Sequence, residues 1–201
     1  MSHLVPKFRL STLGELRLTG PGGDLLSGRR KALLLLTYVA RRAPGAVARD
    51  ELATLLWGER DERARHALRR TLLQLRRALG DELEVSHAHV RLSAESIALD
   101  ARELERALAE ERWREAAALC RGDFLPGAEA STGAACRTWV GAEREALRRA
   151  GAHALERLSI EGLRQKSAKA QDPYADAYRG LRDALDKPAF STFMTPGEQR
   201  L

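Results

Sequence analysis

Residues 61–80, DERARHALRRTLLQLRRALG, limit what this chain can become more than any other stretch. Read at helical period, Ala64, Leu68, Thr71, Leu72, Leu75 and Leu79 share one stripe, the spacing of a half-buried helix. Arg63, His66, Arg70, Leu73 and Arg77 fall on the opposite face, with Arg65, Arg69 and Arg76 along a flank. Asp61 and Glu62 open the helix where acids suit the dipole, and Gly80 is a C-terminal stop. A charge run is usually a solvated face. Here, however, the carboxylates that would pair with the arginines at i to i+4 are missing after Glu62. A helix this cationic on its outer side calls for a polyanion.

The whole composition agrees. The chain has 201 residues, 44% hydrophobic and 31% charged, enough for one or two domains with real cores. Its formal charge of +6 points to an anionic partner. Most cations are arginine, whose planar fork suits phosphate and guanine edges, although GC-rich coding produces the same excess. Aromatics at 5% argue against stacking on single strands. Cys120 and Cys136 have no zinc spacing and are expected as free buried thiols. No signal peptide is visible, and the longest apolar run, around residues 32–36, is far too short to span a bilayer. A cytoplasmic, nucleoid-associated protein without membrane contact is the expectation.

In chain order, Phe8, Leu10, Leu13, Leu16 and Leu18 predict short strands over 8–13 and 15–19, and Leu25 and Leu26 a brief third. Ser27 is the expected cap of a helix over 28–42. Arg29, Arg30 and Lys31 in its first turn oppose the dipole, so phosphate or carboxylates of the sheet must favour them there. Pro44 and Gly45 break the chain, and Asp50 is the expected cap of a second helix over 50–57 that Gly58 ends. The arginine helix follows directly, the layout of a helix-turn-helix. Leu83, Val85, Val90 and Leu92 predict a hairpin with His87 and His89 at its tip, placed where a wing would be, and Ile97 to Leu99 a last strand.

The combined spacing resembles a known family, the SARP-type antibiotic regulatory activators with their OmpR/PhoB-like winged helix. The matching residues are Leu13-Gly14, Arg30-Lys31-Ala32-Leu33-Leu34, Arg49-Asp50-Glu51-Leu52, Leu56-Trp57, Ala64-Arg65, Leu68, and Leu75-Arg76-Arg77-Ala78-Leu79-Gly80. Beyond Asp100 the chain is rich in alanine and leucine, with helices expected over 101–110, 111–121 and 135–165 that suggest tetratricopeptide-like packing. Asp100, the helix from Trp113 to Ala117, the turn Gly122-Asp123-Phe124-Leu125-Pro126-Gly127, Trp139 and Glu143-Arg144 look like the bacterial transcriptional activator domain of that family. The expected fold class is therefore mainly α with small sheets. A winged helix-turn-helix over 1–99 precedes a TPR-like, shortened activator domain over 100–190 and a disordered tail over 191–201. After residue 165 the resemblance thins.

The expected DNA-binding residues sort into two kinds. Arg69 and Arg70 at mid-helix are the first choice for guanine, with Arg65 and His66 beside them in the groove. Leu73 on that face suits a thymine methyl or packs against the wing. Arg63, Arg76 and Arg77 near the helix ends suit phosphates, and Arg49 and Thr54 on the second helix suit the backbone. The resemblance implies that the wing crosses a minor groove, which adds His89 and Arg91. It also implies binding to promoter direct repeats as a homodimer, contact with RNA polymerase and activation of transcription.

Enzyme signatures are missing: there is no phosphate-binding GxxxxGKS, GxGxxG after a strand, HExxH or GxSxG. No cofactor is expected, and His87-x-His89 lacks a third metal ligand. The rival reading is a protein-interaction adaptor that uses the helical repeats, with the winged helix as scaffold or dimerisation unit. An adaptor does not need the outward arginines. A small-ligand sensor is a third reading, for which no residue identifies a ligand.

Overall fold

The computed structural model describes residues 5–58, 61–93, 95–128 and 132–166. The expectations for 166–201, including a later repeat and a frayed tail, fall beyond Lys166 and outside the described residues. Two compact units divide the chain, Met1–Glu156 and Arg157–Leu201, and the first holds everything that follows except the end of the last helix.

Three strands open it: β1 (Phe8–Ser11), β2 (Arg17–Gly20) and β3 (Gly23–Leu25). They form an antiparallel meander with Leu10 opposite Leu18, and both side chains are fully buried. β7 (Ile97–Leu99) completes this sheet by running parallel to β1, so the strand order is β3-β2-β1-β7. The first strand is shorter than the expected 8–13 because Thr12 and Leu13 leave the ladder for other partners. Their backbone N–H groups donate to the Asp100 carboxylate at 2.7 and 2.9 Å, and Leu13 bridges to Phe124.

Helix α1 (Arg30–Arg42) is buried continuously from Ala32 to Ala40. A helix apolar nearly all round has neighbours on every side. Ser27 does not cap it. Leu26 and Gly28 both take left-handed φ, which turns the chain so that Arg29 occupies the cap position without a side-chain bond. Two of the three awkward cations here have internal partners instead. Arg30 donates to the Pro126 carbonyl, and Lys31 stands 5.6 Å over the Trp57 ring.

β4 (Val47–Ala48) pairs with β6 (His89–Leu92), and β6 with β5 (Leu83–Val85), in a second antiparallel sheet that carries the hairpin. That pairing sets where α2 (Arg49–Trp57) begins. Ala48 is its cap residue and the Arg49 N–H donates to Ala88 O, so Asp50 sits inside the first turn rather than capping it. Gly58, at φ +80°, ends α2 and turns the chain toward α3 (Glu62–Leu79), capped by Asp61, whose carboxylate accepts from the Ala64 N–H at 2.7 Å. The buried residues of α3 are Ala64, Leu68, Thr71, Leu72, Leu75 and Leu79, the stripe that periodicity predicts. They pack on α1 and α2.

Beyond β7 come α4 (Asp100–Ala109), α5 (Trp113–Leu119) and α6 (Ala134–Lys166). Helix α5 starts later than expected because Glu111 is left-handed and Arg112 N–H reaches back to Ala107 O. α4 and α5 form a helical hairpin, and Trp113 meets the His153 ring of α6 edge-on at 5.5 Å. The strap from Gly122 to Gly127 ties these helices to the first sheet. Gly14 N–H donates to Asp123 O, Leu125 N–H donates to Thr12 O, and Arg144 grips the carbonyls of Phe124 and Leu125 at 2.7 Å each. A Cβ on Gly122 would stand 2.9 Å from Gly14 Cα, so this crossing needs glycine. Arg41 of α1 is held between Glu105 of α4 (2.7 Å) and Glu143 of α6 (2.8 Å). Residue 99 is thus no gap in the packing.

Cys136 is buried, Cys120 half-buried, and both are free thiols. The fold is mainly helical with two small sheets, a winged helix-turn-helix followed by helices. Among the described residues no helix is long and apolar enough to cross a membrane.

Tyr38 lies at the same joint. Its hydroxyl donates to Glu51 (2.5 Å) and accepts from Arg42 (2.7 Å), and its ring meets Trp139 edge-on at 4.9 Å. Burial, then the bond to Glu51 and its charge, push the phenol up to about 12. A raised folded pKa favours the neutral form. Its stabilising share is therefore complete below the unfolded value near 10 and is lost as pH rises toward 12. The thermal midpoint should fall across that window, and Tyr38→Phe should flatten the fall. An unchanged alkaline profile in the variant would assign the loss to another group.

Candidate nucleic-acid interface

The buried stripe of α3 determines what its other side offers. With Leu68, Leu72, Leu75 and Leu79 locked inward, Arg63, Arg65, His66, Arg69, Arg70, Leu73, Arg76 and Arg77 all stand exposed. Leu73 is 50% exposed, which decides against packing on the hairpin. The helix thus presents an outward strip of His66, Arg70, Leu73 and Arg77, one step per turn.

The two flanks of that strip face different hollows. On one side Arg65, Leu68 and Arg69 meet Arg49, Asp50 and His87 around a cleft of about 310 Å³. On the other, Glu62, Arg63, His66, Ala67 and Arg70 edge a more open hollow of about 440 Å³. Glu62 is the carboxylate close to the outward arginines of α3, at 3.7 Å from both Arg65 and Arg69. That is beyond hydrogen-bond distance, and a solvent-exposed pair of this kind neutralises little. Arg63, Arg70, Arg76 and Arg77 have no ion-pair partner among the described residues.

The hairpin is fixed beside α2 and α3. Arg49, half-buried, donates through Nη1 to Ser86 O at 3.2 Å, while its own N–H holds Ala88 O at 2.9 Å. Ser86 Oγ accepts from the Ala88 and His89 N–H groups, closing the turn from inside. His89 and Arg91 alternate with buried Val90 and Leu92, which turns them outward on β6. Thr54 is half-buried on α2 and its hydroxyl donates to Asp50 O at 2.9 Å.

The structure therefore brings Arg49, Arg65 and Arg69 together. It sets Arg63, His66 and Arg70 on the far flank, Arg76 and Arg77 at the end of α3, and His89 and Arg91 on the hairpin. His87 and Asp50 join the cleft although sequence reasoning did not select them for it. The signal for His87 was faint: a hairpin tip after a serine that can close its own turn. Among the described residues no group of three or more His, Cys, Asp or Glu side chains comes together to hold a metal.

This arrangement of sheet, helix-turn-helix, hairpin and helical extension is found in a solved structure. The chain shares its fold with EmbR. Mycobacterium tuberculosis EmbR, solved in complex with a low-affinity phosphopeptide, matches with a TM-score of 0.61 and 22% identity. The match covers 89% of this chain and 50% of that one, so the chain spans half the length of its structural neighbour. No protein-family model matches the sequence, and no curated protein matches it. Identity this low supports a common fold and is silent on activity.

Proposed function

We propose that the chain is a sequence-specific, double-stranded-DNA-binding regulator of transcription, with α3 as its reading helix. The observation that carries this reading is the outward guanidinium face of α3, where Arg63, Arg70, Arg76 and Arg77 have no carboxylate partner among the described residues. Exposed like charges held this close repel one another, and a phosphate backbone relieves the repulsion. In this reading the strip of His66, Arg70, Leu73 and Arg77 enters a major groove, Arg70 takes a guanine edge and Leu73 a thymine methyl. Arg63 and Arg76 meet phosphates, Thr54 lies near the backbone, and His89 and Arg91 on the hairpin reach the adjacent minor groove.

The likeness to the SARP-type activators extends the reading. It supports a division of labour near residue 99, a homodimer on direct repeats, contact with RNA polymerase and activation, all in the cytoplasm at the nucleoid and with no cofactor. None of this calls for catalysis.

A titration of random duplex by fluorescence anisotropy, at low and moderate salt, tests the first step. Affinity should fall steeply with salt. On a site selected from a random library, Arg70→Ala should cost about 1–3 kcal/mol and relax base preference. Absence of salt-sensitive binding at micromolar protein would favour the adaptor reading instead.

A further inference from the structure

The two flanks of α3 differ in shape as well as in neighbours. The side edged by Arg63, His66 and Arg70 is an open, shallow hollow, whereas on the hairpin side α2, α3 and the turn at His87 enclose a narrower cleft. A duplex presents its backbones as ridges and its base edges as recesses, so a concave cleft receives the ridge. We propose that the cleft between α2, α3 and the hairpin seats one backbone phosphodiester of duplex DNA, held by Arg65 and Arg69 and closed by His87. This rests on the duplex-binding reading above and deepens it, because it assigns Arg69 to the backbone and leaves base reading to the Arg70 strip.

Three observations carry the assignment. The lining combines three guanidinium groups and an imidazole from three separate elements, against one carboxylate, Asp50. Glu62 stands 3.7 Å from Arg65 and Arg69, too far to use their donors, so both keep N–H groups for a phosphate oxygen. The walls are also set in advance. Arg49 is bonded to Ser86 O and Ala88 O, and Ser86 closes the tip that carries His87, so no loop need be ordered when the backbone arrives. At about 310 Å³ the cleft has room for a phosphodiester with its neighbouring sugars.

The test uses the full chain, a duplex selected from a random library, a scrambled duplex of equal length and a series of salt concentrations. Arg69→Gln should weaken both duplexes alike, by about tenfold, and lower the slope of log K against log salt by about 0.9. Arg70→Gln should weaken the selected duplex and spare the scrambled one. A single uncharged methylphosphonate, walked along the selected duplex, should weaken the native protein at one position where it leaves Arg69→Gln unaffected. His87→Gln should lose affinity at the same position. The seat is overturned if Arg69→Gln alters base preference at unchanged salt slope, or if every methylphosphonate position that weakens the native protein also weakens that variant. If the native protein binds neither duplex, the duplex reading itself falls, a result distinct from a misplaced phosphate. Arg69 is exposed, so far-UV circular dichroism should match the native protein and folding will not obscure the outcome.

Discussion

Cutting the chain after Leu99 should abolish cooperative folding of the winged helix rather than release it. The first sheet and α1 are finished by residues beyond the cut. Phe124 and Leu125, both almost wholly buried, close the core beside Leu13, and the strap holds Gly14 and Thr12 through backbone bonds. Trp139 covers Tyr38 and meets Phe124 edge-on at 5.8 Å. Without these, apolar surface of α1 faces water and several buried backbone groups lose their partners, each at a cost of about 1–3 kcal/mol. Native stabilities are only about 5–15 kcal/mol in total. The 1–99 fragment should melt without a sigmoidal transition, whereas a fragment carried on to Glu156 should keep one. A sharp melt of 1–99 near the midpoint of the full chain would show that the joint is dispensable.

Replacing Asp100 alone should cost about 3 kcal/mol. Its carboxylate is buried and accepts four bonds: Thr12 N–H (2.7 Å), Thr12 hydroxyl (2.5 Å), Leu13 N–H (2.9 Å) and Ala101 N–H (2.8 Å). Alanine leaves every one of those donors buried, and Thr12 is itself wholly enclosed. Asparagine keeps one acceptor oxygen but turns the other into a donor that faces donors, so Asp100→Asn should fall between the native protein and Asp100→Ala. Urea unfolding of the three proteins measures the order. A loss below about 1 kcal/mol for Asp100→Ala would mean that water replaces the carboxylate.

How much of this was legible in the sequence depends on how local the cause is. The stripe of α3 was readable residue by residue because one helix face meets one core, and spacing alone carries that information. The hairpin and β7 were readable for the same reason. The start of α1 was not: Ser27 is a good cap by type, but left-handed Leu26 and Gly28 take it out of position. The cations after it could not be assigned either, since the partner of Arg30 lies at Pro126 and that of Lys31 at Trp57. The cleft shows the same limit. Arg49, Arg65 and Arg69 are each legible singly, but their meeting with His87 depends on a hairpin tip bonded to the start of α2, which no spacing along one element encodes.

The parallel pairing of β1 with β7 has a consequence during synthesis. Phe8 is placed opposite Ile97, so β1 must wait until β7, made long after it, has left the ribosome before its second edge is sealed. Contacts so far apart in the chain form late. In the interval the nascent β1 carries an open edge and an unburied Phe8 and Leu10, the kind of surface that holdase chaperones grasp.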